Sequence, residues 1–397
     1  MAIITFGECN QNMIFPLFGG ISKFIVNIIL YLIPDKAEVN KHPFLLGINA
    51  GFGMSLTIVP YIFILKGLRH LKQEKLSNPE KFIDEAYKKD NQTIKKQKYI
   101  IIFFCSFLDF VQKVLVFIFS KSITNNIWIF NIVFLNVFTS MVMKNNLHIH
   151  QYLSSGIMVF FGICLNIVNL YNMKKNEIPL LFLSIFIEII YSLAIVLAKY
   201  GMDYRSCSPF EITFYEGIFA LILNIIFLIF STNFPLSENF KYTELLKISE
   251  YNGKKYLDNF YTYIENLSFT EVLLFLVTMV GRVLFNLFSH FTIKYYSSCH
   301  VVLLLIMGEI SLDWKDKKNY EIALTSGIFF IELCMLLVFC EIIELNFCGL
   351  EKNTRKNIQE RARLIQNDND TNSRGSSTEM GMISELPSSN NTSFDIY

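Results

Sequence analysis

The chain has 397 residues, 52% of them hydrophobic and 17% charged, with 39 Phe and a formal net charge of +1. A soluble protein of this length carries about 25% charged residues, so the composition argues against one ordinary soluble core. The near-neutral charge points to no partner, and no long basic tract stands outside the flanks of apolar blocks, so nucleic acid is not expected.

The apolar residues come in blocks of about 20, enough to cross a bilayer as helix. In chain order they are 14–33, 43–65, 98–119, 127–143, 152–171, 178–200, 209–230, 269–293, 297–311 and 322–345. Lipid offers backbone N–H and C=O groups no partner, so each block is expected to be helical. The expected fold is an all-α polytopic membrane protein with ten transmembrane helices. The fourth and ninth blocks are short, as for a steeply packed or broken helix.

No Lys or Arg precedes the first block, so that block is expected to serve as its own insertion signal. Residues 1–13 then form a short cytoplasmic N-terminus. The segment 66–97 is rich in Lys, and the flank "EKNTRKNIQERAR" falls on the same side by parity. Lys and Arg mark cytoplasmic loops, so both termini are expected in the cytoplasm. The Lys-bearing stretches "KYTELLKISEYNGKK", within a non-cytoplasmic loop at 231–268, and "DWKDKKNY" count against this orientation without reversing it. Asn266-Leu267-Ser268 is a glycosylation sequon so close to the eighth block that it is expected to be unused.

Beyond residue 345 the chain turns polar and rich in Asn and Ser, so 346–397 is expected to be a disordered cytoplasmic tail. Within it "ERARLI" has Glu360, Leu364 and Ile365 in the acidic-dileucine sorting pattern. That favours an endomembrane (Golgi, or endosome, lysosome or vacuole) over the plasma membrane. The eight Cys form no CxxC pair and are expected to be free thiols. His148 and His150 lack a third ligand nearby, so no metal site is expected, and no cofactor.

The two halves echo one another. "SMVMKNNLHIHQYLSSGI" (140–157) lies over "SLDWKDKKNYEIALTSGI" (311–328), both joining the last two blocks of a five-block half. An odd number of spans per half makes the second half, 178–345, enter the bilayer opposite to the first, 14–171. Two inverted five-helix repeats are a recurrent plan of transporters, with the site between them.

Charges inside the blocks bear most directly on function. One at a helix centre costs roughly 2.5–3.5 kcal/mol by insertion scales. In "FLDFVQKVLVFIF", Asp109 and Lys113 are four apart on one helix face with Gln112 beside them. They either staple helices together or line a polar path. In the eighth block Arg282, Asn286, His290 and Lys294 recur every fourth residue and form one stripe. Lys294 could snorkel and His290 could satisfy a carbonyl, but Arg282 is deep. Glu188 and Glu216 are candidates to pair with Arg282 or Lys113, or to carry a coupling proton. Lys23 either faces a cavity or snorkels. Gly-rich phosphate loops, nucleophile elbows and HExxH are absent from the sequence, so an enzyme is not expected.

These residues resemble the drug/metabolite transporter superfamily (EamA-like), especially its solute-carrier branch that includes nucleotide-sugar transporters. The likeness rests on the Asp of "FLDFVQK", on "FLNVFTSMVMKNNLHIHQYLSSGIMVFFGICL", on "AKYGMDYRSCSPFEITFYEGIF" and on "IKYYSSCHVVLLLIMGEI". It covers roughly residues 14–345. Where relatives often place Arg-Gly, this chain has Ile127-Trp128-Ile129, so no particular substrate carries over. The resemblance implies ten helices in two inverted halves and alternating access, often by exchange. The expected function is transport of a small polar or anionic organic metabolite, past Asp109, Gln112 and Lys113 on one wall and Arg282, Asn286 and His290 on the other. The expected partners are the lipid bilayer and a small-molecule substrate; protons, a counter-substrate and a second copy of the chain (a homodimer) are left open. The alternative is a non-transporting receptor or scaffold that uses its tail.

Overall fold

The computed structural model describes residues 4–6, 14–32, 42–63, 84–118, 129–144, 148–172, 178–205, 207–237, 246, 248–308 and 319–345. Ten helices of at least eight residues run through them: α1 (Ile14–Leu32), α2 (Pro43–Ser55), α3 (Asp84–Ile118), α4 (Ile129–Met143), α5 (Ile149–Asn172), α6 (Ile178–Tyr204), α7 (Pro209–Asn233), α8 (Phe269–Tyr295), α9 (Val301–Gly308) and α10 (Asn319–Phe339). After a turn at Leu56 and Thr57, the helical path of α2 continues to Phe63. Four three-residue strands form two antiparallel ribbons, β1 (Ile4–Phe6) with β4 (Ile343–Leu345) and β2 (Ser249–Tyr251) with β3 (Lys254–Tyr256).

Five helical stretches are long and apolar enough to cross a membrane: Pro43–Phe63, Lys96–Val116, Leu181–Tyr204, Pro209–Asn233 and Phe269–Tyr295. Shorter apolar stretches occupy Ile14–Val26, Phe130–Met143 and Ile149–Cys164. Large apolar side chains face outward along them, among them Phe63 at 70% and Phe182 at 68% exposure. Water penalises such a surface and lipid does not. The chain fits an all-α, multi-pass membrane protein.

Helix limits differ from the sequence expectation in three places. α3 begins at Asp84, inside the segment expected to be loop, because Lys, Glu and Gln are good helix formers even where the pattern is polar. α6 runs on to Tyr204. The ninth block opens with a 3-10 turn, Ser298–His300, before α9. The tail with Glu360, Leu364 and Ile365 lies outside the described residues, as do Cys9, Cys348 and Glu309.

Proline starts α2 and α7, where its missing N–H removes no intrahelical bond. The two helices make the most extensive contact of the fold. Glycine permits it: a Cβ on Gly51 would stand 2.6 Å from the backbone N of Leu221, and one on Gly217 2.5 Å from the backbone N of Ser55. The crossing is reciprocal, since each glycine meets the residue four positions beyond the other. Without a hydrophobic drive between helices in lipid, such backbone approach is what packing can gain. Around this crossing α1 packs on α8 and α9, α6 on α3 and α4, α3 on α7, α2 on α8, and α5 on α10.

Contacts define two ends. At one, β1 pairs with β4, Lys98, about four turns into α3, bonds Glu211 at the start of α7 (2.6 Å), and His150 meets Glu341 (3.1 Å). The largest apolar core lies toward this end and includes Ile102, Ile195, Ile212, Ile293, Leu336 and Phe339. At the other end a helical turn, Phe260–Glu265, covers the start of α2, and the β2–β3 hairpin packs on that turn.

Candidate functional site

The polar side chains of α3 and α8 meet. The Lys113 ammonium donates to Asp109 Oδ2 at 2.7 Å and to Asn286 Oδ1 at 3.2 Å, with Met54 Sδ of α2 at 4.0 Å. Its three protons thus have three acceptors on three helices. Asn286 donates from Nδ2 to Arg282 O at 2.9 Å, which fixes its amide with the oxygen toward Lys113. One turn further along α8, Arg282 Nη1 reaches Leu46 O of α2 at 3.5 Å.

The same face of α8 carries His290, buried between two groups of α7. Nδ1 lies 2.9 Å from Thr213 Oγ1, and Nε2 lies 3.3 Å from Glu216 Oε1. Thr213 and Glu216 are three residues apart on α7 and so share a face. Two polar clusters thus follow one another along this face of α8, Asp109 and Lys113 with Asn286 and, one turn on, Thr213 and Glu216 with His290, drawn from three helices. Tyr191 of α6 lies within electrostatic reach of Asp109, Glu188 and Glu216. Asp109, Glu216 and His290 are buried.

Other candidates named from the sequence fall elsewhere. Gln112 is half-buried but makes no hydrogen bond into either cluster among the described residues. Lys23 reaches Leu305 O of α9 at 3.4 Å and stands 5.6 Å from the Phe285 ring centre. Lys294, at the C-terminal end of α8, sits over Tyr295. His148 and His150 stack at 5.8 Å between ring centres.

Three contributors carry no signal as intramembrane charges: Met54, Tyr191 and Thr213. Part of that signal was available in the repeat of Pro-Phe with a glycine eight residues past the proline, "HPFLLGINAG" in α2 and "SPFEITFYEG" in α7. It marks the two helices that cross at the centre.

A separate buried polar group holds the hairpin end. Asp258 Oδ1 lies 2.6 Å from His42 Nδ1, while Oδ2 accepts from Phe44 N at 2.8 Å and Leu45 N at 3.3 Å. Both side chains are at 0% exposure. His42 makes no side-chain cap of its own for α2, so a carboxylate from a distant loop satisfies the first N–H groups of that helix. Ser231, near the end of α7, holds Asp258 in place with 2.7 Å bonds to its backbone N and O.

The polar clusters along α8 can hold a polar solute by exchange of partners. Lys113 and Arg282 can take an anionic group, and the carboxylates a cationic one. No protein-family model matches the chain, and no curated protein matches it.

Proposed function

We propose that the chain is a secondary transporter that works by alternating access on a small polar or anionic organic metabolite, by exchange or with protons. The observation that carries this reading is the Lys113–Asn286 bond, which joins the polar rows of α3 and α8 within apolar surroundings. Charged groups at bilayer depth mark solute and ion pathways by default. In this reading the network of Asp109, Lys113, Glu188, Glu216, Arg282, Asn286 and His290 is the substrate site.

The proposal includes ten spans as two inverted halves, α1–α5 and α6–α10. Its support is the pattern of packing. Advancing each helix by one half turns α1–α8 into α6–α3, α1–α9 into α6–α4, and α2–α8 into α7–α3, and all of these pairs are in contact. The pairs α2–α7 and α5–α10 map onto themselves. Asp109 and Lys113 in α3 have the same spacing as Arg282 and Asn286 in α8, and the reciprocal glycine crossing has the same two-fold character. Pairing of β1 with β4 supports an even number of crossings. The family resemblance, cytoplasmic termini and endomembrane residence belong to the same proposal and draw on the motifs and loop charges.

A thermal-shift screen of the purified protein against nucleotide sugars, sugar phosphates, nucleobases and amines would identify the solute, because ligands stabilise the state they bind. Arg282→Ala is then expected to abolish uptake into proteoliposomes while leaving the protein folded; full uptake removes Arg282 from the mechanism. The competing reading, a receptor or scaffold, draws on the way Lys113 already neutralises Asp109. Removing residues 351–397 would disable a scaffold and leave flux intact in a transporter.

A further inference from the structure

The packing pattern has two exceptions among the described residues: α8 touches its chain neighbour α9 with no matching contact of that extent between α3 and α4, and the other lies at the β1–β4 end. α6 packs against α8 there, whereas the corresponding pair, α1 and α3, makes no contact of that extent among the described residues. The α6–α8 contact is fastened by Lys199. Its ammonium donates to Lys294 O, in the last turn of α8, at 3.2 Å, and pairs with Asp203 of α6 at 3.2 Å. The carbonyls of a helix C-terminus lack intrahelical donors and carry partial negative charge, so a buried cation is a strong partner for them.

Beside this contact a polar seam joins α4 to the link between α8 and α9. Thr139 and Ser298 share a 2.9 Å bond, and Cys299 Sγ donates to Asn136 Oδ1 at 3.1 Å. Cys207, between α6 and α7, packs into the same apolar core as Cys299 and Cys340, and all three are buried.

We infer that Lys199 is a latch that holds the β1–β4 end shut in this structure, and that its release from Lys294 O opens this end to the polar network. The inference rests on the transport reading, as the gate of the same site. It follows from the broken equivalence: a machine with two matching halves that closes one end at a time shows in one half a contact that the other lacks. The closure needs a fastening that can be released, and a side chain on a carbonyl is one. The core around it is apolar, and apolar contact is non-directional.

Native thiols report the state without any solute. Burial pushes the Cys207 thiol up to about 11, so at neutral pH it offers little of the thiolate that maleimides attack. The full-length protein in nanodiscs would be treated with a charged maleimide, and labelling followed cysteine by cysteine by mass spectrometry. In the native protein Cys207 and Cys299 should label slowly compared with the same cysteines in denatured protein. Lys199→Ala should raise labelling at Cys207 and Cys299 roughly tenfold or more, the scale of losing a hydrogen bond to a charged group. Lys199→Arg, which keeps a cation, should label as the native protein does.

Native labelling of Cys299 as fast as in denatured protein would overturn the latch, and so would unchanged rates in Lys199→Ala. If Lys199→Ala unfolds, Lys199→Met, which keeps the side chain's length and removes its donor, decides: a rise confined to Cys207 and Cys299 supports the latch, and none overturns it. Because no solute is needed, the outcome is separable from transport. The expected labelling with no flux of any solute sinks the transporter and keeps the latch, and flux with unchanged labelling does the reverse.

Discussion

The two ends of the molecule are held together by different means. At the β1–β4 end, helices from both halves share a continuous apolar core, and ion pairs sit at its edges. At the hairpin end a single buried carboxylate, Asp258, collects two backbone donors and an imidazole and holds a loop to the start of α2. Apolar contact can loosen by degrees and form again. A buried carboxylate with directional partners is either satisfied or costly. An end built on many weak contacts around one releasable bond, Lys199 on Lys294 O, can open, whereas one saturated carboxylate keeps a loop attached to its helix.

The largest expected effect would remove the basis of the comparison, because it strikes the crossing between the ends. Gly217→Val would drive two methyl groups into the backbone of Ser55 and Met54, which has no flexible side chain to move aside. Overpacking typically costs about 1–3 kcal/mol, and more where backbone must shift. Loss of monodisperse protein on size-exclusion chromatography is expected. A well-folded variant would mean that α2 and α7 do not approach this closely.

Next comes Asp258→Ala, which sharpens the contrast at the hairpin end. It strips the first N–H groups of α2 of their acceptor and leaves His42 buried beside a void. Leaving a buried donor without its acceptor costs about 1–3 kcal/mol, and here two backbone N–H groups and an imidazole lose theirs. Hydrogen exchange should rise in α2 near Phe44 and in the loop around residue 258, with the β1–β4 end unchanged. Equal loosening of both ends would contradict the division drawn between them.

The smallest effect belongs to the edge of the β1–β4 core. A double-mutant cycle on Lys98→Ala and Glu211→Ala should return about 1 kcal/mol of coupling, since both groups are partly solvated. Coupling as large as the cost of Asp258→Ala would show that Lys98–Glu211, rather than the apolar core and Lys199, holds this end.

The meeting of α3 with α8 was legible in the sequence because charge is expensive in lipid and a four-residue spacing puts it on one helix face. The contribution of α2 was not, because glycine, methionine and a backbone carbonyl carry no such cost and look like any apolar helix. Asp258 was invisible for a different reason. It lies in a polar loop where an acid is ordinary, and its partners are backbone groups more than two hundred residues away. Helix existence was readable, since hydrophobic blocks mark it, but helix limits were less so. Nothing apolar announced the first turns of α3, whose Lys, Glu and Gln favour helix by propensity.

That extension has a mechanical consequence. With 35 residues, α3 is about 52 Å long at 1.5 Å per residue, against a hydrocarbon core of about 30 Å. At that length α3 exceeds the hydrocarbon core by about 20 Å, and its first turns precede the apolar stretch that begins at Lys96. A rod longer than the layer it crosses is a lever: any tilt about Asp109 would carry its first turn farther than its last.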